Sequence, residues 1–278
     1  MIIDAHHHFW SLSRGDYAWL TSDLTKLYRD FTPADLAPEL AGAGISATVL
    51  VQAAPTDAET RFLLGLAEAW PTAAAVVGWA DLTDPAVEAV IAQLAAHWRL
   101  KSLRPMIQDE PDPAWMLQAS VGRGLEAMVR AGLRLDALVR PNQLSTLNQM
   151  IARHPDLPVV LDHAGKPDIA GGGFEPWAAD ILALSRQPQV CCKLSGLLTE
   201  AGDHGSDADL RPYLDHLLAA FGPERIMWGS DWPVLTLAGS YGGWFDQCMR
   251  LTQGLSRDEQ AWIFGKTAAA FYGLEELA

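Results

Sequence analysis

Ile2-Ile3-Asp4-Ala5-His6-His7-His8-Phe9-Trp10 opens the chain with a short apolar strand that runs straight into three histidines. An open dinucleotide-binding sheet would carry its glycine fingerprint after that first strand. Imidazoles stand there instead. Seven further apolar runs follow, at Ala47 to Gln52, Ala74 to Asp81, Leu100 to Met106, Leu133 to Val139, Pro158 to Asp162, Val190 to Leu194 and Arg225 to Ser230. Amphipathic stretches alternate with them, at Pro33 to Ala43, Asp57 to Trp70, Pro85 to Trp98, Trp115 to Arg130, Leu144 to His154, Trp177 to Ser185, Leu210 to Phe221 and Gly243 to Gln253. Thr32-Pro33 reads as a helix N-cap and first helical residue, with Asp35 in the first turn and Gly44 past the end. Eight strands alternating with eight helices predict parallel βαβ units, spaced too closely to admit a second domain. The expectation is a single (β/α)8 TIM barrel over residues 1–278, with a doubly wound open sheet as the alternative.

Composition narrows the function. The 278 residues are 49% hydrophobic and 19% charged, enough apolar matter for a large core. Acidic residues outnumber basic ones 34 to 20, and a net charge of −14 disfavours nucleic acid and anionic membrane partners. No apolar stretch reaches the ~18 residues of a membrane span. Three cysteines, two of them neighbours (Cys191 and Cys192), build no disulfide framework. With no signal-peptide pattern at the start, a cytoplasmic protein is expected. Tryptophan, at 11, outnumbers phenylalanine and tyrosine. Singly, Trp10, Trp79, Trp115 and Trp232 suit core packing; as a group they suggest a pocket with flat walls.

The strand ends carry the chemistry. Alternation puts Asp4, His6 and His8 on one face of the first strand and His7 on the other. Two imidazoles two apart can grip a divalent metal with Asp4 behind them, or can be a hydrogen-bonded polar pair. His163 shares parity with Val159 and Leu161, taken as inward. Lys193 follows Cys191 on one face of the seventh strand, and a buried lysine is costly unless paired, which points to an active-site wall. Arg104 ends the fourth strand, and Asp231 ends the eighth. The longest loop, Phe9 to Asp30, bears Trp10, Tyr17, Trp19 and Tyr28, and it belongs to the face where such barrels bind substrates. Each residue alone reads as the first polar residue of a loop. Together on one rim they read as an active site.

At this point the sequence resembles a known family. The opening string, with Asp162-His163-Ala164-Gly165-Lys166-Pro167, Cys192-Lys193-Leu194-Ser195-Gly196 and Gly229-Ser230-Asp231-Trp232-Pro233, is similar to the amidohydrolase superfamily. Within it the chain resembles the sugar-lactonase and pyrone-dicarboxylate-lactonase branch, from Asp4 to the C-terminal helix. The resemblance implies His6 and His8 on strand one, Asp231 as the water-activating carboxylate, and one divalent ion such as zinc at His6, His8 and Asp231. Metal-dependent members also carry a ligand histidine after strand five, whereas this chain reads Asp136-Ala137-Leu138-Val139-Arg140. Other members of the branch hydrolyse lactones with no metal, so the ion is expected to be dispensable.

Opening a lactone needs an activated water, charge stabilisation at the carbonyl oxygen and a proton for the departing ring oxygen. The roles expected are Asp231 as base, Lys193 polarising the carbonyl and holding the Asp231 pKa down, Arg104 orienting a substrate oxygen, and His163 relaying a proton. Trp10, Trp19 and Trp232 would cover the sugar. A dicarboxylate calls for several converging arginines, and only Arg104 and Arg140 sit at strand ends. The expectation is therefore a small aldonolactone, of the L-fucono- or L-rhamnono- type that the resemblance implies. The alternatives are a pyrone-dicarboxylate-type lactonase or another hydrolase or decarboxylase of the superfamily, and a non-catalytic barrel that binds sugar acids.

Overall fold

Short runs of small and β-branched residues, apolar on both faces, become strands because both faces are buried. They are β1 (Ile3–His7), β2 (Ala47–Val51), β3 (Ala73–Gly78), β4 (Leu100–Leu103), β5 (Arg134–Ala137), β6 (Val159–Leu161), β7 (Val190–Leu194) and β8 (Ile226–Trp228). The structure, a computed structural model, describes residues 1–274, so the last four residues of the domain expected over 1–278 lie outside the described ones. Each strand pairs in parallel with the next in the order β1 to β8. The ring closes where the Asp231 amide donates to the His6 carbonyl and the His8 amide to the Trp232 carbonyl, both at 2.7 Å. Sequential order with closure is a (β/α)8 TIM barrel, as expected, and it excludes the doubly wound sheet, whose strand order reverses.

Helices fill the connections: α1 (Pro33–Ala43), α2 (Asp57–Ala69), α3 (Val87–Ala95), α4 (Ala119–Arg130), α5 (Leu144–Arg153), α6 (Phe174–Ser185), α7 (Leu197–Ala201), α8 (Asp207–Phe221), α9 (Tyr241–Leu251), α10 (Arg257–Ala261) and α11 (Thr267–Tyr272). At the start of α1 the Asp35 carboxylate accepts from the Thr32 amide at 2.9 Å and hydroxyl at 2.7 Å, and Gly44 ends the helix at φ 68°. Inside the barrel, small residues interlock: Ile3, Ala5, Val49, Val77, Val160 and Met227 form one buried cluster with Phe271 and Tyr272 of α11. A larger cluster joins the outward faces to the helices, Leu50, Val76, Leu161 and Trp228 among them. Among the described residues no helix is long and apolar enough to cross a membrane.

The strands end earlier than the apolar runs suggest. β4 stops at Leu103, β6 at Leu161 and β8 at Trp228. Arg104, Asp162 and Asp231 therefore stand on the first residues of the loops at the C-terminal rim, where the backbone is free to aim a side chain away from strict alternation.

Candidate active site

Four local backbone features aim the polar side chains. In β1 the pairing register shifts between Asp4 and His7. Ile3 and Ala5 both face the barrel interior, and the shift then turns His6 and His8 inward. Asp4 consequently does not back the histidines as strict alternation predicts. Its carboxylate accepts from the His6 amide at 3.1 Å, the Ser230 amide at 2.9 Å and the Tyr241 hydroxyl at 2.9 Å, tying β1 to the end of β8 and to α9. In β6 it is Val160 that faces inward, while Val159 and Leu161 face the helices. His163 nonetheless reaches the mouth, because it and Ala164 take left-handed backbones, both at φ 52°. Asp231 is left-handed too, at φ 59°. Such conformations cost a non-glycine residue of order 1–3 kcal/mol, and they cluster at functional sites. Gly196 makes room for the result: a Cβ there would lie 2.7 Å from the His163 ring.

These features bring His6, His8, His163 and Asp231 to one point. His6 Nε2 lies 3.2 Å from His8 Nε2, and Asp231 Oδ1 lies 3.4 Å from His8 Nε2, 3.7 Å from His6 Nε2 and 3.9 Å from His163 Nε2. His8 Nδ1 donates to the Val51 carbonyl at 2.8 Å, which leaves the Nε2 lone pair facing the centre. His163 Nδ1 bonds the Ser195 hydroxyl at 2.9 Å. Ligand atoms on a tetrahedral zinc with bonds of ~2.0–2.1 Å stand about 3.3 Å apart. The donor set therefore fits one divalent ion. The outer partner of His6 is Asp162, with Oδ1 3.5 Å from Nδ1, the part alternation assigned to Asp4. At the β5 position no histidine is present; Asp136 stands there and is otherwise engaged.

Beneath the histidines lies a buried charge network that sequence reasoning missed. Lys193 Nζ is 2.5 Å from Asp136 Oδ2, 3.0 Å from Asp162 Oδ1 and 3.1 Å from His6 Nδ1. Asp136 also accepts from the Ser102 hydroxyl at 2.6 Å and the Tyr272 hydroxyl at 2.8 Å. Arg104 Nη1 lies 3.5 Å from Asp162 Oδ2 and 3.4 Å from His6 Nε2, and Nη2 donates to the Gln52 carbonyl. Neither Asp162 oxygen has a well-aligned hydrogen bond, so these close cations balance it by charge more than by direction. Lys193 is fully buried and off the cavity wall, which corrects the expectation that it polarises a substrate carbonyl. Nor does it govern Asp231. Burial pushes the Asp231 carboxyl up, but the surrounding imidazoles of His163, His8 and His6 outweigh it and hold the group well below the usual carboxylate range. Burial also pushes His163 down to about 4 and His6 well below its ordinary value. Burial raises Asp162 as well, but Lys193 and His6 prevail and hold it low. Both aspartates of the rim are thus held as carboxylates.

Above this centre opens a cavity of about 260 Å³, walled by His8, His163, Asp231, Arg104, Trp19 and Met106 among others. Lys166, within the quoted motif but given no role, also lines it. Trp10 and Trp232 do not, which corrects their expected contact with a sugar. Both are buried in an aromatic stack, Trp10 with its ring 5.4 Å from Trp19 and 5.1 Å from Phe31, and Trp232 at 5.2 Å from Phe31. Their work is to brace the first loop. Trp19 is held by its indole N–H, which donates to the Ala53 carbonyl at 2.7 Å. The Ala53 amide in turn donates to Glu59 Oε1 at 3.1 Å, and the Tyr17 hydroxyl to Glu59 Oε2 at 2.8 Å. One carboxyl group on α2 thereby ties the loop to the cavity wall. Arg140 stays outside, half exposed beside Asp109 at 3.7 Å.

Comparison with known proteins agrees with this geometry. The amidohydrolase family model matches residues 3–274. An L-fucono-1,5-lactonase of Burkholderia ambifaria is 42% identical, over 98% of this chain and 96% of its own. A second L-fucono-1,5-lactonase, from Burkholderia multivorans, is 39% identical over 99% and 97%. A crystal structure of an amidohydrolase from Burkholderia multivorans with bound zinc superposes with a TM-score of 0.92, at 38% identity and 99% coverage of both chains. A match over nearly the whole barrel, with the histidines and the aspartate converging at its C-terminal rim, makes the chain a member of the amidohydrolase family.

Proposed function

We propose that the protein opens the ring ester of a sugar-acid lactone, using Asp231 to deprotonate the attacking water. The observation that carries this reading is the Asp231 carboxylate on the cavity floor, with Oδ1 3.4 Å from His8, 3.7 Å from His6 and 3.9 Å from His163 and open to a space of about 260 Å³. A base of this kind takes a proton from water as the oxygen adds to the lactone carbonyl. The ring C–O bond then breaks, and the same proton goes to the departing ring oxygen, giving the open hydroxy acid. His163, with Nδ1 on Ser195 and Nε2 towards Asp231, positions the water. Arg104 holds a substrate oxygen at the wall and is itself fixed by Gln52. A divalent ion held by His6, His8 and Asp231 would supply Lewis-acid polarisation when bound. Lys193 acts one layer down, setting the position of His6.

The size and sign of the cavity support a neutral aldonolactone over a dicarboxylate. Among the cavity residues only Arg104 and Lys166 carry fixed positive charge, and Lys166 lies 3.5 Å from Glu200. The two Burkholderia relatives make an L-fucono-1,5-lactone the first substrate to try. The acidic surface draws in neither phosphate backbones nor anionic lipid, so the partner is this small molecule. Residues 1–278 act as one domain in this reading. A pH-indicator assay with a panel of sugar lactones, corrected for spontaneous hydrolysis and run with and without chelator, tests it. Enzymatic opening of at least one neutral aldonolactone is expected. No acceleration on any of them, with zinc added or removed, would overturn the proposal.

A further inference from the structure

A second hollow, of about 510 Å³, lies beside the substrate cavity and shares Trp19, Met106 and Asp109 with it. Most of its remaining wall comes from the loops after β3 and β4, with Trp79, Asp81, Glu110 and Trp115, and Ala18 and Pro55 complete it. Trp19 is 36% exposed, and Trp79 and Trp115 are half-buried. Three indoles thus stand around one space. Trp10, Trp19, Trp177 and Trp244 each give their indole N–H to a main-chain oxygen. The indole N–H groups of Trp79 and Trp115 find no such acceptor among the described residues. No lysine, arginine or histidine lines the hollow.

We propose that this hollow is a second subsite, which takes a neutral sugar ring carried as a glycosyl substituent on the lactone. Indole faces pack against the C–H face of a sugar ring, burying apolar area on one side while leaving the hydroxyls at the edge. The unpaired N–H groups of Trp79 and Trp115 supply donors to those edge oxygens. Asp81, Asp109 and Glu110 supply acceptors for hydroxyl protons. Arg140 stands 3.7 Å from Asp109, but Asp81 and Glu110 leave the wall net negative, which disfavours a uronate or a sugar phosphate and sets the class as neutral. Trp19, Met106 and Asp109 line both spaces, so the two are neighbours, and in this proposal one molecule reaches from one into the other past Trp19.

The lactone half of this inference rests on the hydrolysis proposed above; the sugar-binding half does not. Two measurements keep them apart. The first is tryptophan fluorescence of the full chain, titrated with neutral mono- and disaccharides such as glucose, cellobiose, lactose and maltose, and with glucuronate as the anionic control. Saturable binding of at least one neutral sugar is expected, weakened at least tenfold in Trp79→Ala and in Trp115→Ala, with no response to glucuronate. Wild-type protein that binds none of them, or binding unmoved by both substitutions in variants that melt normally, would overturn the subsite. The second compares a monosaccharide 1,5-lactone with the same lactone bearing a neutral glycosyl group. The glycosylated one should show a KM at least fivefold lower, a gain that Trp115→Ala removes while the monosaccharide KM stays put. An equal KM for the two lactones overturns the shared occupancy. If no lactone is opened at all, the proposed function fails, and the titration still decides the subsite.

Discussion

Replacing Lys193 by methionine tests the buried network most directly. The substitution keeps an unbranched chain of similar length but removes the Nζ that lies between Asp136 Oδ2 at 2.5 Å and Asp162 Oδ1 at 3.0 Å. Both carboxyl groups are fully buried. Breaking a buried ion pair by deleting one partner costs about 3–5 kcal/mol, chiefly because the other charge is left uncompensated. For a chain of this size that corresponds to a fall in Tm on the order of 10 °C. The sign with pH follows from the same argument. Without the cation both carboxyl groups have raised folded pKa values, so the folded state holds protons that the unfolded state releases. The deficit of the variant is then largest at pH 7 and above, and shrinks as pH falls through those raised values. Adding Asp136→Asn to Lys193→Met removes one orphaned charge and should recover part of the loss. Calorimetric melting of the single and double variants between pH 5 and 8 measures all of this. An unchanged Tm with kcat down ~10²–10³-fold would refute the reasoning, because that is the pattern of a residue that touches the reacting carbonyl.

Three further outcomes are expected. Asp231→Asn should keep the fold and lose ~10²–10⁴-fold in kcat through loss of the general base, in chelated and zinc-loaded protein alike; near-normal turnover in lactone assays would remove Asp231 from the role. Trp19→Ala should raise KM several-fold with kcat nearly unchanged, since Trp19 walls the cavity and touches none of the reacting groups; a fall in kcat alone would contradict it. Burial raises Glu59 from its ordinary 4.5 to about 7, so ionising it costs the folded state about 3 kcal/mol at about 1.4 kcal/mol per pH unit. Wild-type protein should therefore lose stability relative to Glu59→Gln as pH rises from 4.5 through 7, read as the difference in Tm at the two ends, and a difference of the opposite sign would show that Tyr17, Ala53 and Arg14 stabilise the charged form more than burial penalises it.

What was legible in the sequence divides at the ends of the strands. Inside them the two-residue period and the double burial of each strand carry the fold, and the run Ala47 to Gln52 could become little else than β2 (Ala47–Val51). Helix starts were equally legible, because Thr32-Pro33 with Asp35 satisfies the first turn with local bonds. Beyond the last paired residue, period two no longer constrains direction. Alternation alone pointed Asp4 at the histidines, and the register shift in β1 turned it to Ser230 and Tyr241. The same rule brought His163 to the right place for the wrong reason, since its direction comes from a left-handed turn rather than from Val159 and Leu161. Asp136 and Asp162 occupied inward positions of β5 and the β6 end, within stretches already singled out, and a carboxylate at such a position was the available signal. A lysine predicted to be buried on the neighbouring strand needs a counter-charge at the same height, and adjacent parallel strands place it there. The requirement that every buried charge find a partner thus assigns Lys193 to Asp136 and Asp162 before it assigns it to a substrate. The three tryptophans follow the same division: Trp10 and Trp232 each pack against Phe31 in the stack, and Trp19 alone of the expected set is left facing the cavity.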